Sequence, residues 1–180
     1  LVGKTTIGLE LWKIMKVVDY LQTLEEVAPD RIGFYGISQG GLTALHIGAV
    51  EQRLAATVST AYFNLRAPKL VVSDDRYTAL IDTIGTDKFI PNLLTEFSDW
   101  DIASLICPRP LLFEAGRLDN AVYWEMLLKE YERVEEVYER LGISERVGLD
   151  LHDGAHEINA EVSFPFLDRW LKADSGTPSQ

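Results

Sequence analysis

Four short apolar runs constrain this chain more than anything else in it. Residues 31–37, 54–59, 110–115 and 147–151 read as strands, each bounded by turn-forming residues. Between and around them lie segments of helical spacing. In residues 8–27, Leu9, Leu11, Trp12, Met15, Val18 and Leu21 recur along one side, and Pro29 sets the limit. Residues 42–50 are apolar and rich in small side chains, as suits a helix packed closely on a sheet. The charged amphipathic stretch 123–141 is closed by Gly142, and residues 164–171 form the last helix. Strands that alternate with helices predict an α/β fold, a parallel sheet with helices on both faces.

The alternation is interrupted once. From about residue 61 to 105 aromatic and polar residues mix without a period, which predicts an insertion of short helices shaped like a lid. The chain has 180 residues, 47% of them hydrophobic, enough for one domain that buries roughly 70% of its unfolded surface. That domain is expected over residues 1–172, with 173–180 a flexible tail.

In a parallel sheet, reactive groups collect beyond the carboxyl ends of the strands, and three of the four strands end in a residue type that nucleophilic catalysis needs. Ser38 lies in Gly36-Ile37-Ser38-Gln39-Gly40, where the first strand gives way to a helix. Flanking glycines lack the Cβ that would collide in so tight a turn, and the Gln39 backbone N–H stands at a helix start where an oxyanion could be held. A serine hydroxyl needs a base. His156, after the fourth strand, is the candidate, with His152 as a rival in the same region. Asp119, after the third strand, can fix the histidine tautomer; Asp153 and Glu114 are alternatives for that acid. His46 falls inside the helix after Ser38 and reads as a packed residue.

Charge and composition narrow the partners. A formal net charge of −11 without a basic stripe argues against nucleic acid. No apolar run approaches the ~20 residues that span a bilayer. The single Cys107 excludes an intramolecular disulfide and a multi-cysteine zinc site, and leaves the compartment open.

With these residues placed, the chain resembles the α/β-hydrolase superfamily, in its dienelactone-hydrolase-like and acetyl-xylan-esterase-like branch. The blocks that carry the likeness are LWKIMKVVDYLQTLEEVAPDRIGFYGISQGG, LICPRPLLFEAGRLDNAV and LHDGAHEINAEVSFPFLDRWL. The order serine, aspartate, histidine is also the one expected there. The resemblance implies Ser38 as nucleophile, Asp119 as acid, His156 as base, cleavage of a small-molecule carboxylic ester through an acyl-enzyme, and no metal or organic cofactor. Such relatives often carry aspartate at the position of Lys13 and glycine at that of Gln39. They also carry a further N-terminal half, with more strands and a loop that supplies a second oxyanion donor. The chain is therefore expected to be a C-terminal catalytic portion lacking the N-terminal strands, with an open sheet edge that a homodimer would cover.

Tyr62, Phe63, Tyr77, Phe89, Phe97 and Trp100 in the insertion suit either an acyl pocket, with Tyr62 and Trp100 as substrate-binding residues, or simple packing of the insertion. Two further functions share the hydrolase residues: a serine peptidase of the prolyl-oligopeptidase type, and a binding domain whose site is incomplete. Gly3-Lys4-Thr5-Thr6 before a helix resembles the end of a phosphate-binding loop; the glycine and strand that such a loop needs would precede Leu1, so the sequence given does not test that reading.

Overall fold

The computed structural model describes residues 4–71, 76, 90 and 92–172. Four strands, β1 (Ile32–Ile37), β2 (Leu54–Thr60), β3 (Leu111–Gly116) and β4 (Val147–His152), form one parallel sheet in chain order. Right-handed crossovers between neighbours in that order keep the connecting helices on one face. Those helices are α2 (Gln39–Val50), α5 (Asp99–Ser104) and α6 (Trp124–Arg140), and they pack against one another. Among the described residues, the stretch between β2 and α5 also holds α3 (Arg66–Val71) and α4 (Leu93–Glu96).

The strand period of two decides what each face touches. On β1, Ile32 and Phe34 turn towards α2 and the first helix, α1 (Thr6–Leu21), and join Val18, Ile47 and Leu54 in one apolar cluster. Gly33 and Tyr35 turn the other way, towards α7 (Ser163–Leu171): a Cβ on Gly33 would come within 2.7 Å of Leu171, and the Tyr35 ring meets Phe164 edge-on at 6.2 Å. Helices therefore cover both faces, as the alternation predicts. The larger core lies on the α2, α5 and α6 side, where Leu111, Phe113, Leu127, Val134 and Tyr138 are buried and Phe63 stacks on Phe113 at 4.0 Å.

The element limits follow the sequence closely, with one correction. The helix expected over 8–27 stops at Leu21, because the Thr23 hydroxyl donates to the Tyr20 carbonyl and residues 22–31 continue as turns. Val27 still packs into the apolar cluster, so its hydrophobicity reflects burial rather than helix. Tyr77, Phe89, Gly3 and the tail 173–180 lie outside the described residues. Thr5 caps α1, its hydroxyl accepting from the Gly8 N–H. No helix among the described residues is long and apolar enough to cross a membrane.

Candidate active site

Ser38 occupies the one-residue junction between β1 and α2 with φ 59° and ψ −115°, a conformation that L-residues reach only under constraint. The constraint is visible. Its N–H donates to the Thr60 carbonyl at 2.9 Å, and its carbonyl accepts from Leu42 at 3.0 Å. The two glycines flanking Ser38 differ in what they do. A Cβ on Gly36 would lie 2.2 Å from the Gly40 carbonyl oxygen, whereas one on Gly40 would meet nothing within 4 Å. The second crowded position is Gly41, whose Cβ would come within 2.4 Å of the Thr60 carbonyl oxygen. So the tight turn needs glycine at 36 and 41, and position 40 contributes its backbone. Gln39 opens α2, and its N–H is among the four at a helix start that have no intrahelical partner.

At the far side of the sheet, His156 and Asp119 meet: His156 Nδ1 is 2.8 Å from Asp119 Oδ2. A carboxylate only accepts, so Nδ1 carries the proton and Nε2 is left with a lone pair. Asp119 is 1% exposed, and its other oxygen accepts from the Ala121 N–H at 2.7 Å. The His156 side chain is 40% exposed. The structure thus joins a fixed, buried acceptor to a partly exposed imidazole. Among the described residues no hydrogen bond links His156 to Ser38.

β4 is three strands away from β1, and the loop after β4 closes part of that gap by running back across β3. Gly116 makes the crossing feasible, since a Cβ there would lie 2.3 Å from the carbonyl oxygens of Gly154 and Ala155. Leu118 N–H then donates to Gly154 O at 2.9 Å, tying the Asp119 turn to the histidine loop. Further on, Asn159 N–H reaches Glu114 on β3 before the chain enters α7, which packs on β1, β2 and β3.

The rival residues go elsewhere. His152 Nδ1 accepts from the Gly154 N–H at 3.0 Å, so that ring is held by its own loop. Asp153 is exposed and pairs with Arg117 at 3.3 Å. Glu114 is buried beneath the loop and touches neither His156 nor Asp119 through a hydrogen bond. His46 is buried, with Nδ1 2.8 Å from the Leu42 carbonyl, and burial lowers its pKa; it is the packed helix residue the sequence suggests.

Tyr62 sits over Gly41, and its hydroxyl accepts from Arg66 at 2.5 Å; burial first, and Asp99 second, push its pKa above the tyrosine range. Arg66 in turn pairs with buried Asp99 at 2.6 Å. Trp100 lies on α5 with the Arg133 guanidinium over its ring at 5.5 Å, and its backbone N–H donates to Glu130 of α6. Both aromatic side chains thus have partners within the helical layer. What the sequence reading missed is the row on the opposite face of the sheet, where Thr60, Glu114 and Asp150 sit in register on β2, β3 and β4.

Compared with known proteins, the acetyl xylan esterase (AXE1) family profile matches residues 11–84. The chain is 29% identical over 179 residues to the hydrolase YtaP of Bacillus subtilis, covering 95% of this chain and 56% of that protein. It is 33% identical over 102 residues to 2,6-dihydropseudooxynicotine hydrolase of Paenarthrobacter nicotinovorans, which is 53% of this chain and 27% of that protein. A glucuronoyl esterase of carbohydrate esterase family 15 from Caldicellulosiruptor kristjansonii superposes with a TM-score of 0.76 at 21% identity, over 93% of this chain and 51% of that one. The chain spans about half the length of the YtaP and glucuronoyl esterase chains it matches. The four-stranded parallel sheet with helices on both faces, together with these matches, defines the class: the chain has an α/β-hydrolase-like fold and is similar to hydrolases built on it. Over residues 11–84, which take in most of α1 and all of β1, α2 and β2, the likeness is to the acetyl xylan esterases.

Proposed function

We propose that the chain carries the catalytic serine, acid and base of a carboxylic ester hydrolase, and that short acyl esters on carbohydrate, acetyl esters first, are its substrates. The observation that carries the reading is the 2.8 Å contact between His156 Nδ1 and Asp119 Oδ2, on the same edge of a parallel sheet as a serine in a strained turn. The ester class is supported by the acetyl xylan esterase match, and the carbohydrate by the names of that family and of the glucuronoyl esterase.

His156 Nε2 takes the Ser38 proton as Oγ attacks the ester carbonyl carbon, and Asp119 stabilises the imidazolium that results. The carbonyl oxygen becomes an oxyanion facing the Gln39 N–H, where one such donor is worth about 10²- to 10³-fold in rate. The intermediate collapses, the C–O bond to the alcohol breaks, and His156 gives the proton to the leaving oxygen. Water, deprotonated by His156, then attacks the acyl-enzyme and releases the acid.

A fluorophosphonate probe tests this directly. Wild-type chain should be labelled, Ser38→Ala should not, and on p-nitrophenyl acetate Ser38→Ala, His156→Ala and the double variant should lose comparable activity because the members act as a unit. Labelling that persists in Ser38→Ala, or losses that multiply in the double variant, would remove Ser38 and His156 from these roles.

A further inference from the structure

Beneath the histidine loop, on the α7 face of the sheet, Glu114 is 1% exposed and gathers four donors from three places in the chain. Its Oε1 accepts from the Tyr35 hydroxyl of β1 at 3.0 Å, the Thr60 hydroxyl of β2 at 3.1 Å and the Asn159 N–H at 3.2 Å; its Oε2 takes the Ala160 N–H at 3.4 Å. The Tyr35 hydroxyl also meets Ser163 Oγ at the start of α7, 3.0 Å away. Asn159 is held a second time, its side-chain amide donating to Asp150 Oδ2 at 2.9 Å. Since Glu114 and Asp150 are register partners on adjacent strands, Asn159 bridges two carboxylates that would otherwise face each other directly.

For folding alone this is a costly arrangement. A buried carboxylate must recover its lost hydration from hydrogen bonds, and an apolar side chain of similar size would serve a sheet-to-helix interface with less penalty. What the carboxylate does that an apolar group cannot is accept the N–H groups of two consecutive loop residues, three and four positions after His156. One of these, Ala160, has φ 65°, which an alanine adopts only when held. The other end of the same loop is pinned where Leu118 donates to Gly154. His156 hangs between the two fastenings.

We infer that Glu114 is the positioning residue of the site: it anchors Asn159 and Ala160 so that the His156 ring stays on Asp119 and aims Nε2 along the sheet edge. The inference rests on the reading of Ser38 and His156 given above, and it assigns the polar row under the loop to that reaction rather than to the core.

The experiment uses the whole chain with Glu114→Gln, Glu114→Leu and Asn159→Ala, assayed on p-nitrophenyl acetate with rates normalised to fluorophosphonate-titratable sites. Amide exchange and the low-field Nδ1 proton of His156 are followed by NMR. In Glu114→Gln one acceptor oxygen remains, so the Asn159 amide should stay protected, the Ala160 amide should exchange faster, and kcat should fall about tenfold at nearly constant KM. Glu114→Leu should lose about 10²-fold in kcat with the Nδ1 proton broadened, and Asn159→Ala, which keeps the bond to Glu114 but loses Asp150, should fall between wild type and Glu114→Leu. If Glu114→Leu does not fold, Glu114→Gln decides: kcat within twofold of wild type with Ala160 exchange unchanged overturns the inference. Should the wild-type chain show no serine-dependent turnover, the reading of Ser38 and His156 falls by itself. The amide exchange and the ring proton then decide whether Glu114 holds the loop.

Discussion

Gly36 and Gly40 look equivalent around Ser38, and their surroundings differ. At Gly36 an added Cβ would stand 2.2 Å from the Gly40 carbonyl oxygen, a backbone atom that cannot rotate away, so Gly36→Ala must open the turn. The cost should reach at least about 3 kcal/mol, seen as a Tm lower by roughly 8 °C. Gly40→Ala meets open space in the first turn of a helix, where alanine is preferred to glycine, and its Tm should stay level or rise by about 2 °C. Calorimetry on both variants checks this, and equal losses would show that the crowding at Gly36 is relieved by some shift of α2. The sequence identifies Ser38, Asp119 and His156 as candidates because each follows a strand closely, where one-dimensional position already states which end of the sheet is meant. Glu114 shows the limit of that logic. Lying inside β3, it reads only as a spare acid, since its purpose depends on which face of the sheet it turns to and on a loop that arrives from β4.

At the scale of elements, strands and long helices are legible because their periods are long enough to register. Between 61 and 105 the limits of the elements are not, since among the described residues α3, α4 and α5 have six, four and six residues, too few turns to show a helical period. The premature end of α1 is hidden for a different reason: beyond it Val27, within the turns, still packs against the apolar cluster and prolongs the apolar pattern. Contacts between elements are invisible in sequence altogether. Arg109, unremarkable in a loop before β3, donates to the carbonyls of Gly48 at 2.5 Å, Glu51 at 3.0 Å and Leu54 at 3.3 Å. It thereby caps the carbonyl end of α2, whose other end carries Ser38. Arg109→Ala should cost about 2 kcal/mol and lower Tm by roughly 6 °C, while Arg109→Lys, with one compact charge in place of a fork, should recover less than half. A loss below about 0.5 kcal/mol would show that solvent caps α2 equally well. Tyr62 and Trp100 also belong here. Their partners lie in the helical layer, so alanine at either position should lower Tm and leave the preference between acetyl and longer p-nitrophenyl esters unchanged. A changed preference would return them to the acyl pocket.

Across the whole molecule, the alternation of strands and helices is enough to give the parallel sheet and its covering helices, because right-handed crossovers leave few other topologies. What it does not give is how the edges of the sheet are used. Among the described residues β1 pairs with β2 alone, which leaves its outer row of N–H and C=O groups without a strand partner. Only Ile32 of its six residues is buried, whereas every residue of β3 is. Beside it, α1 presents Trp12 at 58% and Tyr20 at 62% exposure. Open strand edges pair with other strands, and apolar side chains next to them add to the contact. The net charge of −11 opposes close approach of two copies, and that opposition weakens as salt screens it. The 180-residue chain purified by itself should therefore self-associate, with a light-scattering mass above 20.2 kDa that grows with protein concentration and with ionic strength. Trp12→Glu with Tyr20→Glu raises the net negative charge and removes apolar surface on the same side, and should shift the mass towards the monomer. A wild-type chain that remains monomeric at high salt and unfolds in one cooperative transition would mean that the β1 edge is shielded within the chain itself.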